Sequence, residues 1–230
     1  MYGLIQAAGI IDRAEAAMLC EAGVDWLGFP LRLPSKREDL TEAEAIDVIA
    51  SIRSPHKGVV ITYLTEAEEI RAFCAELGVR TVQLHGDVPA AQLRTLKQID
   101  PELYVLKSLV VEKDNTASLA RTVEEVADWV DMFITDSFNP ATGAKGATGM
   151  VHDWRVSAKL ARLSPRPLML AGGLNADNVI DAIEQVRPAA VDAHTGLEGP
   201  DGRKDPEKVR LFVERSKLAF ARLALGVVAR

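Results

Sequence analysis

Residues 167–199, PLMLAGGLNADNVIDAIEQVRPAAVDAHTGLEG, hold the pattern that decides the fold. A short apolar run at 167–171 stops at the pair Gly172–Gly173. Asn175 opens an amphipathic helical stretch over 175–186, and a second apolar run follows at 189–193. Two strands joined by a helix lie parallel in one sheet, with a right-handed crossover. Both runs empty into glycine-bearing loops, where backbone N–H groups can approach a ligand closely.

The same alternation extends through the chain. Strands are predicted at 2–6, 25–29, 57–62, 80–84, 103–108, 130–135, 167–171 and 189–193. Helices are predicted near 12–23, 41–53, 65–77, 88–98, 116–128, 153–163, 175–186 and 205–222. Thr65 with Glu68 has the spacing of a capping box, and Asn175 is placed as a helix cap. Gly23 and Gly78 sit where a helix ends on a left-handed residue. Eight strands alternating with eight helices close most compactly as a single α/β unit, a (β/α)8 TIM barrel over 1–230. An open doubly wound sheet would want G-x-G-x-x-G after the first strand, and MYGLIQAAGI has none. The segment 137–150, SFNPATGAKGATGM, is the longest irregular stretch, of the kind that is functional or mobile.

Composition narrows the classes. Hydrophobic residues make up 48%, enough for a sizeable core, and the net charge of −6 disfavours nucleic acid or an anionic membrane as partner. No run of about 18 apolar residues suggests a membrane span, and the N-terminus lacks a signal-peptide pattern, so a cytoplasmic location is expected. Cys20 and Cys74 lie on apolar helical stripes and read as core. His56, His85, His152 and His194 lack paired ligand spacing, so no metal is expected.

In a barrel the chemistry gathers at the C-terminal ends of the strands. Gly172, Gly173, Thr195 and Gly196 lie after the last two strands, where a phosphate would sit. Asp136 ends the sixth strand. Asp192 and His194 are two apart and point the same way, as are Gln83 and His85 on the fourth strand. A carboxylate and an imidazole facing one cavity can divide acid and base work. Lys107 on the fifth strand is a Schiff-base candidate, or else the partner of a carboxylate. Of the cations after the second strand, Arg32 and Lys36 read as solvated loop charges. Against all this, the first strand runs into Ala7 and Ala8, which carry no reactive group.

Several stretches together resemble one family. EAGVDWLGF followed by SKR, VQLHGD, TDS with GATGMVHDW, LAGGLNADNV, and VDAHTGLEG with GRKD occur in the order seen in phosphoribosylanthranilate isomerase of tryptophan biosynthesis. The resemblance implies a (β/α)8 barrel that turns an aminoaldose phosphate into an aminoketose phosphate, with no cofactor. It implies a general acid at Asp136, a phosphate on Gly173, Thr195 and Gly196, substrate contacts at Asp192 and at Arg37. The family's base is a cysteine at the end of the first strand, in Lys-Ile-Cys-Gly. Here the same place reads Gln6-Ala7-Ala8-Gly9, and the family's Ser-Ser-Gly has become His194-Thr195-Gly196.

A positioned general base is worth about 10²–10⁴ in rate, so its loss calls for a replacement. Cys20 lies inside a helix. His194 is new at the mouth and shares a face with Asp192; His85 is the second candidate. The expected function is isomerase-type chemistry on a phosphorylated sugar or sugar–amine, by a monomer or homodimer, with Gln83, Lys107, Asp192 and Arg37 as substrate contacts. The alternatives are the authentic family reaction with an unusual base, a Schiff-base lyase using Lys107, and a phosphate-binding relative without catalysis.

Overall fold

The computed structural model describes residues 3–34, 38–139, 144–145 and 151–226. The strands are β1 Leu4–Ala8, β2 Trp26–Pro30, β3 Lys57–Thr62, β4 Thr81–Leu84, β5 Tyr104–Val111, β6 Met132–Asn139, β7 Leu168–Leu170 and β8 Ala190–Ala193. The helices are α1 Arg13–Ala22, α2 Glu42–Ile49, α3 Ala67–Leu77, α4 Ala90–Ile99, α5 Thr116–Val126, α6 Trp154–Leu163, α7 Val179–Val186 and α8 Pro206–Ala224. All eight strands pair in parallel, and β5 pairs with β6 to close the barrel.

Strand alternation divides the core in two. Ile5, Leu27, Val60, Val82, Val105, Phe133, Leu170 and Val191 pack outward among the helices. Leu4, Trp26, Val59, Leu106, Met132, Met169 and Ala190 fill the barrel interior. By the same period of two, Gln6, Gln83, Ser108 and Asp192 form a polar tier above that plug. Ala8, Gly28, Ile61, His85 and Asp136 follow at the rim. Near β1 the rim is tight: a side chain on Gly28 would meet Ile61 at 2.8 Å and Ala8 at 3.2 Å.

Some local expectations change. β6 runs on to Asn139 and is met by a two-residue antiparallel strand, Ala144–Lys145, so 137–139 and 144–145 of the stretch predicted as irregular are strand. The rest of that segment, 140–143 and 146–150, lies outside the described residues, as do Lys36 and Arg37. α3 begins after Glu66, not Thr65, because Gln92 of α4 serves that end: it accepts from the Ala67 N–H at 2.9 Å and donates to Glu66 at 2.7 Å. The capping box is built instead by Thr41 and Glu44. Asn175 caps a turn ahead of α7 by accepting from Asp177 and Asn178. Gly23 and Gly78 do close helices in the left-handed conformation. Cys74 is buried, its thiol pushed up to about 12 by burial, whereas Cys20 is half-buried at the core's edge. No helix among the described residues is long and apolar enough to cross a membrane.

Arg32 is not a solvated loop charge. It adopts a left-handed backbone (φ 52), forks onto Glu42 at 2.8 and 3.1 Å, and lies 3.8 Å over the ring of buried Phe73. It ties the β2 loop to α2 and α3. Its side chain is 31% exposed, so solvent screens the ion pair and the ring contact carries much of the effect. Arg32→Ala is expected to lower stability by about 1–2 kcal/mol in urea unfolding, with Arg32→Lys recovering less than half, since an ammonium cannot fork and stack together. An unchanged midpoint in Arg32→Ala contradicts this role.

Candidate active site

Parallel closure brings every strand's C-terminal end to one rim, and the polar tier lies just beneath it. Gln6 on β1 is in register with Asp192 on β8. Its amide donates to Gln83 at 3.2 Å, and Gln83 donates to Ser108 at 3.4 Å. A rung of amides thus crosses the barrel from β1 to β5. The Oδ1 of Asp192 and the Oε1 of Gln6 are buried without a hydrogen-bond partner. Burial, then the charge of Asp136, pushes the Asp192 carboxyl up to about 7, against a hydrogen bond from Gln6 and the charges of His194 and Lys204. Desolvation thus prevails over pairing.

On the far wall, Asp136 Oδ2 lies 3.3 Å from His85 Nε2, and its Oδ1 accepts from the Ser137 N–H at 2.7 Å. Tyr63 stacks on His85 with centroids 4.9 Å apart. His152, absent from the expected site, stands close by. It is hydrogen-bonded to Ser157 at 2.6 Å, and burial lowers its pKa to about 4 although Asp136 pulls the other way. It is therefore neutral near pH 7.

His194 comes to the end of β1. Gly9 has φ +76, and a side chain there would meet the imidazole Nε2 at 2.1 Å, so the ring lies against the backbone just beyond Ala8. On that same nitrogen, Glu198 sits at 3.2 Å. Glu198 also takes Lys204 Nζ at 2.9 Å, and these two contacts, that of His194 first, lower its carboxyl to about 2. The His194–Glu198 spacing of four was visible in the sequence; Lys204 carried no such signal.

The two glycine loops touch. Gly172 and Gly173 have φ of 89 and 66, and a side chain on Gly196 would come within 2.0 Å of the Leu174 carbonyl oxygen. Thr195–Leu197 forms a 3-10 turn beside them. Gly172 backs onto His152 and Ser137.

Lys107 departs from its expected placement. It shares its face of β5 with Val105 and Leu109, which pack outward, because Leu106 and Ser108 occupy the interior positions. Its ammonium donates to the carbonyls of Gly86 and Ser108, each at 3.0 Å. Arg37 lies outside the described residues. His56 bonds the Val24 carbonyl at 2.7 Å just before β3, away from the rim. Among the described residues no group of three or more His, Cys, Asp or Glu could hold a metal ion.

The family model for N-(5'phosphoribosyl)anthranilate (PRA) isomerase matches residues 6–215. N-(5'-phosphoribosyl)anthranilate isomerase 2 of Methanosarcina mazei is 35% identical over 217 residues, covering 94% of this chain and 95% of the relative. The structure of N-(5'-phosphoribosyl)anthranilate isomerase from Pyrococcus furiosus superposes with a TM-score of 0.76 at 28% identity, over 94% of this chain and 98% of that one. A phosphoribosyl anthranilate isomerase in complex with reduced 1-(o-carboxyphenylamino)-1-deoxyribulose 5-phosphate also superposes at 0.76, with 26% identity over 93% of this chain and 98% of that one.

The carboxyl of Asp192 makes the site's pH behaviour testable. Its folded pKa, about 7, is raised above the ordinary carboxylate value of about 3.9, so the folded state holds the extra proton and loses stability as pH rises between the two. Asp192→Asn, which imitates the neutral carboxyl, is expected to match wild type near pH 4 and to exceed it by roughly 2–4 kcal/mol above pH 7. Urea unfolding across pH 4–8 checks this; a gap that does not change with pH contradicts it.

Proposed function

The chain belongs to the N-(5'-phosphoribosyl)anthranilate isomerase family, and from that membership we propose that it isomerises a phosphorylated aminoaldose to the aminoketose, with Asp136 as general acid and His194 as general base. Phosphoribosylanthranilate, named by the relatives, is the first substrate to try. The observation that carries the reading is the His194 ring lying against Gly9, immediately past the alanine that stands in place of the family's cysteine.

The steps follow from that pair. The phosphate rests on the loops around Gly172–Gly173 and Thr195–Gly196, the first of which turns through two left-handed glycines. Asp136, braced by His85, gives its proton to the ring oxygen; the C1–O bond breaks and the nitrogen lone pair forms a C1–N iminium. His194 takes the C2 proton, and the C2–H electron pair moves into a C1–C2 double bond as the iminium is neutralised. The enaminol then takes a proton at C1 and loses one from the C2 hydroxyl, leaving the ketone. Asp192 and Gln6 lie below the reacting carbons, and the raised pKa of Asp192, about 7, lets its protonated form offer the C2 oxygen a hydrogen bond without adding a negative charge beside a forming enaminol. Gln83 extends that polar floor.

Loss of anthranilate fluorescence from freshly made phosphoribosylanthranilate measures turnover. Asp136→Asn and His194→Ala are each expected to lower kcat by about 10²–10⁴. Adding Ala8→Cys to His194→Ala is expected to restore much of the loss. Wild-type activity in His194→Ala removes this base from the mechanism.

A further inference from the structure

Glu198 has two claims on one oxygen. Its Oε1 lies 2.9 Å from Lys204 Nζ and 3.2 Å from His194 Nε2. The Lys204 side chain is 1% exposed, while those of Glu198 and His194 are 22% exposed each. The ammonium is therefore the buried anchor and the imidazole the accessible end of the series.

The anchor is fixed from three sides. The Lys204 backbone N–H donates to Glu15 Oε1 at 2.7 Å, and Glu15 Oε2 takes the Ile11 N–H at 3.1 Å, which ties the segment to the loop following β1. Glu198 and Lys204 form an isolated antiparallel bridge, and the Asp205 N–H reaches the Leu197 carbonyl at 2.8 Å. Arg203 pairs with Asp12 at 2.6 Å. The loop between β8 and α8 is thus a clasp whose inner end presents one carboxylate to one imidazole.

We propose that Glu198, held by Lys204, is the positioning residue that fixes His194 with its proton on Nε2, leaving Nδ1 as the basic atom. This rests on the assignment of His194 as base. A carboxylate can only accept, so the nitrogen facing it must carry hydrogen, and the lone pair falls to the other. Gly9 sets the orientation: the ring edge nearest its backbone is Nε2, with Cδ2 and Cε1 next at 2.7 and 2.8 Å from where a side chain would begin, so Nδ1 is turned away from that wall. When Nδ1 takes the C2 proton, the ring becomes an imidazolium whose new charge already has a counter-ion in place. No proton leaves Glu198; Lys204 keeps it ionised. The charged and titratable groups around the imidazole are Glu198 and Lys204 from the clasp and Asp192 from β8, with Glu15 of α1 behind Lys204.

Long-range ¹H–¹⁵N correlation on histidine-labelled protein, together with steady-state kinetics on phosphoribosylanthranilate, tests this. Wild type is expected to show neutral His194 protonated on Nε2. Glu198→Gln is expected to mix the two tautomers and to lower kcat about 10–100-fold while KM stays within about twofold, as for other residues that orient a working imidazole. Lys204→Met should act in the same direction and serves if Glu198→Gln does not fold. A wild-type His194 protonated on Nδ1, or unchanged kcat and tautomer in the folded variants, overturns the inference while leaving His194 as base. Full activity in His194→Ala removes the base assignment itself, and the inference with it.

Discussion

Closure of the parallel sheet through the β5–β6 pairing is the constraint on which the rest depends. It puts every C-terminal strand end on one rim and fixes which side chains face the lumen. Because the period along a strand is two, the register that buries Leu4, Leu106 and Met132 also commits Gln6, Ser108 and Asp136 to the interior. The apolar plug closes the lower barrel to water, and the polar tier must then satisfy itself sideways. Gln6 and Gln83 do so in part, bonded to each other while Gln6 Oε1 has no partner. Asp192 is likewise left with one oxygen unpartnered, and burial, then the charge of Asp136, raises its pKa.

The substitutions at the end of β1 make physical sense as a set. A lysine at position 6 would place a cation beside Asp192 and hold it ionised; Gln6 withdraws that charge and leaves a hydrogen bond. Ala8 carries no thiol, and the imidazole of His194 lies against the neighbouring Gly9. The proposed base therefore has the Glu198 carboxylate against it and, two residues before it, Asp192 with its carboxyl raised to about 7.

The barrel was legible in the sequence because its signals are local: apolar runs, amphipathic stretches and left-handed glycines such as Gly23 and Gly78 read without knowledge of neighbours. Asp136, Asp192, His194 and the glycine loops could be located from strand ends alone. What could not be read were contacts made across the fold. The start of α3 depends on Gln92, which lies on another helix, and the pinning of Arg32 depends on Phe73 and Glu42. The outward face of Lys107 depends on which parity β5 adopts against its neighbours. Lys204 is held at the site in part through Glu15, far away in the chain.

The central claim is that a proton leaves C2 of the substrate for His194. Release of a C2 deuteron from labelled phosphoribosylanthranilate to solvent, followed by NMR in wild type and His194→Ala, measures that transfer itself. The account predicts release at the rate of turnover in wild type and near-complete loss in the variant, with affinity for reduced 1-(o-carboxyphenylamino)-1-deoxyribulose 5-phosphate unchanged. Deuteron release by His194→Ala at the wild-type rate would contradict it.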